Sequence, residues 1–212
     1  MAEPFKFYEC LALTRLMGRK ASDIIEFLEI IGQISPESIF HHMHQYFLRR
    51  HVIAPEFSND FAVWIADSLG ERSLAEGVAN LNPYEFTNIE DARKELIRII
   101  SEHLKIYPPP RPAAPGKEFF FTEGVSFLIP TGLEAKDLDE FARRIKEVDG
   151  TSIYFHFYEA RLRLGKKEDD FSRFFEGLGR TDLADKIKAM DPYMYSTEVL
   201  RNKISGLVEG LA

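Results

Sequence analysis

The sequence predicts a mainly α-helical protein of the α+β class, in which two homologous helical domains each open with a short β-hairpin. Three observations predict this fold. The chain matches itself when it is shifted by 114 residues, a proline-rich segment separates the two matching parts, and apolar residues recur at helical spacing in both. With 212 residues, 45% of them hydrophobic, the chain is long enough for two compact cores.

The internal match keeps its order along the chain. Identical residues pair Phe5, Phe7, Gly18, Asp23, Phe27 and His42 with Phe119, Phe121, Gly132, Asp137, Phe141 and His156. After a short deletion, Asp60-Phe61 aligns with Asp170-Phe171, and Arg93 aligns with Arg201. We interpret this match as a tandem duplication and call its two parts the first and the second repeat.

Residues 106–116 separate the repeats and contain five of the eleven prolines. Proline lacks a backbone N–H and fixes φ, so this segment cannot continue a helix and is typical of a semi-rigid spacer. We therefore predict a first domain at residues 1–105, a spacer at 106–116 and a second domain at 117–212.

The predicted elements follow the same order in each repeat. A β-rich stretch comes first, at Phe5–Thr14 and Phe119–Ile129, and Glu123-Gly124 within the second stretch predicts a hairpin turn. Gly18 and Gly132 are expected to end these stretches. In the first repeat, helices are then predicted at about 21–33, 59–68, 74–81 and 88–104, and a further helix is predicted to begin at residue 36. In the second repeat, helices are predicted at about 135–147, 169–177 and 197–211, and a further helix is predicted to begin at residue 150.

Composition excludes several classes of function. The net charge is −7, and phosphate neutralisation needs clustered cations, so general nucleic-acid binding is not expected. No apolar run approaches the roughly 18 residues of a membrane span, and no signal-peptide pattern occurs, so we expect a cytoplasmic protein outside the membrane. Cys10 is the only cysteine, which excludes an intrachain disulfide and a CxxC metal site.

Four of the six histidines lie within residues 36–51. One stripe of the predicted helix contains Glu37, His41, His44 and His51. Imidazoles one helical turn apart can share a metal ion. The second repeat has Phe155 and Tyr158 at the positions of His41 and His44, which favours packed or interfacial histidines. A metal site and acid–base catalysis by this stripe stay open as alternatives.

The candidate binding residues are two recurring His–Asp sets and the single tryptophan, namely His42, Asp60, Trp64, His156 and Asp170. A histidine and an aspartate that recur together could form a charge-assisted hydrogen bond that orients two helices, or act as an acid–base dyad. The aspartates could also cap their helices. No serine or cysteine nucleophile motif, nucleotide-binding loop or calcium loop occurs, so no catalytic residue, metal ligand or cofactor is predicted.

The residues around these positions resemble a prokaryotic domain family of unknown function. Its pattern, written yHv or yHf, then NDFxxWI, then LA, is matched in the first repeat by Phe40-His41-His42, Ser58–Ile65 and Leu74-Ala75. The second repeat matches with Ser152–Phe157, Asp169–Phe171 and Leu183-Ala184, but has Asp169 in place of Asn and Phe174 in place of Trp. The resemblance covers most of both repeats and implies a fold without implying an activity.

The expected function is a non-catalytic interaction or small-ligand-binding module, with an unidentified protein or small molecule as its partner. Self-association is also compatible with the sequence. The alternative is a metal-dependent enzyme that uses the histidine-rich helix at residues 36–51.

Overall fold

The computed structural model describes residues 3–48, 56–82, 85–86, 88–161, 168–190 and 195–210. The protein is mainly helical with a small antiparallel sheet, which confirms the α+β class. It divides into two compact units. We call Leu13–Val125 the contiguous unit, and we call Met1–Ala12 together with Ser126–Ala212 the split unit.

The contiguous unit contains the second half of strand β1 and the first half of strand β2, with helices between them. Its elements in order are β1 (Phe5–Ala21), α1 (Ile24–Ile31), α2 (Pro36–Leu48), α3 (Asp60–Trp64) with a π-helical segment at Ile65–Leu69, α4 (Arg72–Ala79), α5 (Ile89–Ile106) and β2 (Phe119–Ala135). Local sequence explains where these helices begin. Asp23 caps α1 by accepting the Ile25 and Glu26 N–H groups, and Asn88 caps α5 by accepting the Asp91 N–H.

Aromatic side chains from both ends of the contiguous unit meet in its core. Phe27 of α1 contacts Phe61 and Trp64 of the α3 region, with ring centroids 5.4 and 5.3 Å apart. Phe119 and Phe121 of β2 lie 5.4 and 5.6 Å from the same ring. The first residues of β2 therefore complete the core formed by the helices that precede it.

The split unit repeats this order with the chain ends exchanged. It contains the first half of β1, the second half of β2, and helices α6 (Leu138–Arg144), α7 (Gly150–Ile153) with a π-helical segment at Tyr154–Glu159, α8 (Asp170–Gly177), α9 (Thr181–Lys188) and α10 (Thr197–Glu209). Phe5 packs against Phe141 and Phe171, with ring centroids 5.5 and 5.4 Å apart. The N-terminal strand residues thus complete the core of helices more than 100 residues later in the chain.

The predicted hairpins are wrong. Each repeat opens with one 17-residue strand, and the two strands pair with each other. Gly124, predicted to lie in a turn, is inside β2, where a Cβ would lie 3.1 Å from His41 Nδ1, so the imidazole occupies the space that a side chain would need. Gly18 and Gly132 do not end the strands, because they lie within them at φ of 67° and 75°, a left-handed conformation that glycine adopts without steric cost.

Each unit contains its own stretch of the strand pairing. In the contiguous unit, Arg15 forms an ion pair with Glu123. In the split unit, the Thr131 hydroxyl donates to the Phe7 carbonyl at 2.7 Å. The units therefore differ from the domains expected at 1–105 and 117–212, because each strand contributes one half to each unit.

An extra residue explains the π-helical segment of the contiguous unit. The segment from Asp60 to Leu69-Gly70 is one residue longer than the aligned segment from Asp170 to Leu178-Gly179. A π-helical turn holds more residues than an α-helical turn, so one additional residue can be accommodated locally. The structure has such a segment at Ile65–Leu69, directly before the glycine.

The exchange of strand halves makes a prediction about fragments. Residues 13–125 contain the whole contiguous unit, including Phe119 and Phe121, and should fold as a monomer. Residues 1–106 lack these two rings and would expose the Phe27 and Phe61 surface, so this fragment should be unfolded or self-associated. Circular dichroism melts and size-exclusion chromatography would test this. If residues 1–106 and residues 115–212 are mixed, a folded complex should form. A stable monomer of residues 1–106 alone would contradict the exchange.

Candidate functional site

In the contiguous unit, a buried histidine connects a helix to a strand. His42 lies on α2 and is 4% exposed. Its Nδ1 lies 2.9 Å from Oδ2 of Asp60, the first residue of α3, and its Nε2 lies 2.9 Å from the backbone nitrogen of Thr122 in β2. The imidazole thus joins α2, α3 and β2 through two hydrogen bonds.

The split unit contains the same arrangement. His156 is 3% exposed, and its Nδ1 lies 2.8 Å from Oδ2 of Asp170 at the start of α8. Its Nε2 lies 2.9 Å from the backbone nitrogen of Tyr8 in β1. The pairing of each histidine with its aspartate, which the sequence suggested, is therefore present in both units.

The hydrogen bonds fix the tautomer of both imidazoles. A backbone N–H can only donate, so Nε2 of His42 and of His156 accepts. Nδ1 then carries the proton and donates to the carboxylate. Because both nitrogens bond within the protein in this conformation, the ring has no site left for exchanging a proton with a substrate.

Neighbouring residues cap the helices that begin with the paired aspartates. Asn59 accepts the Ala62 N–H at 2.9 Å, and Asp169 accepts the Ser172 N–H at 2.9 Å. Asp60 and Asp170 are the first residues inside their helices. The proposal that these two aspartates serve as simple caps is therefore wrong, since the residue before each one caps the helix.

The cap of the split unit is an ionisable group in a buried place. Asp169 is fully buried, and burial raises the pKa of its carboxyl group. The Arg161 guanidinium at 3.4 Å and the Ser172 hydroxyl at 2.7 Å oppose this rise by stabilising the carboxylate. Asn59 performs the same capping without a charge and donates its amide N–H to the Val78 carbonyl at 3.2 Å.

Each His–Asp pair lines a cavity within its own unit. The cavity of the contiguous unit has a volume of about 520 Å³ and is lined by Thr14, His42, Asp60, Trp64, Phe119 and Phe120, among others. The cavity of the split unit has a volume of about 830 Å³ and is lined by Leu128, His156, Asp170, Phe174, Phe5 and Lys6, among others. The aspartate side chains are 25% and 18% exposed, so the carboxylates face solvent and the imidazoles are closed off.

Trp64, the remaining candidate residue, is 6% exposed. Its indole Nε1–H donates to the Lys117 carbonyl at 2.9 Å, and its ring stacks on Phe27. The indole thus holds the segment before β2 against α3 while one of its surfaces lines the cavity. All five candidate residues line a cavity, three in the contiguous unit and two in the split unit.

The chain matches one protein family along nearly its whole length. The match is to the Family of unknown function (DUF5752) and covers residues 2–209. The chain belongs to this family. It is also similar to a solved structure described as the structure of OrfY from Thermoproteus tenax, with a TM-score of 0.85 and 29% sequence identity over 98% of this chain and 95% of that one. No curated protein matches the chain.

The histidine stripe of this DUF5752 member is a packed surface. His44 is 2% exposed, its ring stacks on Phe40 with centroids 4.0 Å apart, and its Nδ1 lies 2.9 Å from the Phe40 carbonyl oxygen. His41 is 6% exposed and lies against Gly124. His51 lies outside the described residues. Among the residues that the structure describes, no three His, Cys, Asp or Glu side chains are grouped as a metal site would require.

Cys10 is unsuited to nucleophilic chemistry. Burial, together with nearby carboxylates such as Glu159, raises the pKa of its thiol to about 12. The Sγ atom lies 3.5 Å from the Thr151 carbonyl oxygen, to which the thiol donates. A thiol that stays protonated at neutral pH is a poor nucleophile.

None of the helices in the described ranges has the length and apolarity to cross a bilayer.

Sequence patterns did not reveal the strand groups that bond the histidines. The backbone N–H groups of Tyr8 and Thr122 are invisible in a side-chain pattern, and each lies on the strand that opens the other repeat. The alignment of Phe5 with Phe119 is the sequence signal that could have indicated these strand segments. The ring centroid of Phe5 lies 4.8 Å from that of His156, and the ring centroid of Phe119 lies 4.7 Å from that of His42.

A double-mutant cycle tests the structural role of the pairs. Asp60→Ala should lower the free energy of unfolding by about 1–3 kcal/mol, because it leaves a buried imidazole N–H without its acceptor. His42→Ala made in addition should cost less than it does alone, since the shared hydrogen bond is already lost. Urea denaturation provides the measurement. Asp67→Ala is the control, because Asp67 is exposed at the edge of the same cavity. Additive losses would contradict the pairing.

Acid titration tests the burial of His44. Burial lowers the pKa of this imidazole from 6.5 to about 4, so the unfolded chain binds the extra proton first as the pH falls. The contribution of the neutral His44 to the free energy of unfolding is complete above pH 6.5. As the pH falls from about 6.5 to 4, this free energy decreases by about 3 kcal/mol. His44→Phe keeps an aromatic ring against Phe40 and should flatten the pH dependence of the unfolding free energy in this range. Identical slopes for variant and native protein would contradict a neutral, buried His44.

Proposed function

We propose that this protein is a non-catalytic small-ligand-binding module that arose by tandem duplication and has one binding cavity in each unit. The observation that carries the proposal is the recurrence of a cavity at each His–Asp pair. In both units a buried imidazole holds a strand and a helix together, and the carboxylate of the pair faces a cavity.

Equivalent positions of the two repeats line the two cavities, which supports a common origin. Under the internal sequence match, Phe119, Phe120, Thr122, Thr14, His42, Asp60, Val63 and Trp64 correspond to Phe5, Lys6, Tyr8, Leu128, His156, Asp170, Arg173 and Phe174. A depression that recurs at equivalent positions of two repeats is a stronger indication of a binding site than one that occurs once. Volumes of about 520 and 830 Å³ also fall in the range of small-molecule sites.

The hydrogen bonding favours binding over catalysis. General acid–base catalysis needs a group that can reach a substrate proton, and the imidazole nitrogens of His42 and His156 already bond to an aspartate and a backbone N–H. The thiol of Cys10, whose pKa is about 12, offers no nucleophile in their place. The pairs act as rigid supports for the cavity walls.

Occlusion of the cavities tests this function. Thr14 and Leu128 are exposed lining residues at equivalent positions, so Thr14→Trp and Leu128→Trp should fill the cavities without unfolding the protein. Untagged protein purified from its native source should retain a small molecule that mass spectrometry detects after denaturation, and the double variant should not retain it. Equal small-molecule content in native protein and variant, with unchanged melting temperatures, would contradict the proposal.

The alternative, a metal-dependent enzyme built on residues 36–51, has a separate test. We expect untagged protein to contain less than stoichiometric zinc, nickel or iron, because His44 bonds to a backbone carbonyl and His41 is packed against Gly124. Elemental analysis by mass spectrometry measures this. One equivalent of metal in the native protein, lost in a His41→Ala/His44→Ala variant that still folds, would favour the enzyme.

A further inference from the structure

The two cavities are lined by equivalent positions of the two repeats and have different charges at the rim. We infer that the cavity of the split unit binds a small organic anion, such as a carboxylate with an aromatic or aliphatic body, and that the cavity of the contiguous unit does not. This inference rests on the proposed function, because it assigns a ligand class to one of the two proposed binding cavities.

Two cations distinguish the split unit. Lys6 lies in its cavity where the contiguous unit has Phe120, and Arg173 lies there where the contiguous unit has Val63. Arg173 is exposed on α8, one helical turn after Asp170. A guanidinium presents a planar set of N–H donors that matches a carboxylate, which makes arginine well suited to hold an anion at a cavity mouth.

The cavity of the contiguous unit is lined instead by additional carboxylates. Its cavity includes Asp67 and Glu118, and Pro4 of the split unit occupies the position that aligns with Glu118. Lys117 is the cation that lines this cavity within the described residues, and Glu3 aligns with it in the split unit. The aspartates of the His–Asp pairs occur in both cavities, so their charge does not account for the difference.

Ion pairs at the two rims leave this contrast in place. Lys6 lies 3.8 Å from Glu134, and Glu118 lies 3.2 Å from Lys20. Each rim therefore has one charged group that is partly neutralised by an exposed partner, Glu134 or Lys20, and ion pairs with an exposed partner are weak. Arg173 in the split unit and Asp67 in the contiguous unit remain the charges that decide which ligand each cavity attracts.

The walls of the split-unit cavity suit an apolar body. Phe5, Phe155 and Phe174 are buried to more than 90% and line it, and Leu128 closes one side. A ligand that places a ring or chain against Leu128 and the accessible edges of these rings would remove apolar surface from water, which is favourable. The same ligand could direct its anionic group to the rim, where Arg173 lies.

Three probes of equal size test the inference, namely 3-phenylpropanoate, 3-phenylpropylamine and 3-phenylpropan-1-ol, titrated calorimetrically into the full chain. Native protein should bind the anion at least about tenfold more tightly than the amine or the alcohol, because an ionic hydrogen bond adds to the same apolar contact. Arg173→Val, which inserts the residue of the other repeat, should weaken anion binding by about tenfold. Arg173→Lys should retain part of it.

The reciprocal change provides a matched control. Val63→Arg introduces the guanidinium into the contiguous unit at a position that is 36% exposed. Trp64, the only tryptophan, lines that cavity, so its fluorescence reports binding there. The anion should leave Trp64 fluorescence unchanged in native protein and alter it in the Val63→Arg variant.

The outcomes separate the inference from the function on which it rests. Equal binding of all three probes, or anion binding unaffected by Arg173→Val, would overturn the charge selectivity while leaving ligand binding in place. If the native protein binds every probe no more tightly than the Leu128→Trp variant does, both the charge selectivity and the ligand-binding function would be overturned. Anion binding that is weakened about tenfold in Arg173→Val, and that alters Trp64 fluorescence only in Val63→Arg, would support both.

Discussion

The structure depends on a buried imidazole that bonds a strand on one side and a helix on the other. In each unit the Nδ1–H donates to an aspartate at a helix start, and Nε2 accepts a backbone N–H from a strand that enters from the other repeat. A buried N–H group left without a partner is costly, so the strand and the histidine require each other. This mutual requirement fixes which strand segment packs on which helices.

The exchange of strand halves makes the two repeats interdependent. Phe119 and Phe121 complete the core that contains Phe27, and Phe5 completes the core that contains Phe141. Each core therefore needs residues from both sides of the proline-rich segment at 106–116. A strand half that left its unit would expose large aromatic rings and unpair a buried imidazole at the same time.

The constant parts and the variable parts of the two cavities have different physical roles. The histidine and the first phenylalanine of each strand are buried, and together with the partly exposed aspartate they hold a strand against helices. Residues at the rim face solvent and are free to change charge without unfolding either unit. Val63 and Arg173 illustrate this freedom, since they occupy one aligned position and differ by a full charge. Under the proposed function, the rim is therefore the place where the ligand preferences of the two cavities would differ.

Features that are local, or that recur along the chain, can be read from the amino-acid sequence. The helical spacing and the recurrence of His42 with Asp60 could be predicted because side-chain type and spacing encode them. Tertiary structure alone decided that each opening stretch is one long strand and that Gly124 makes room for His41. It also decided that Thr122 bonds His42. These features depend on backbone groups and empty space contributed by segments 80 or more residues apart, and no local pattern records such contacts.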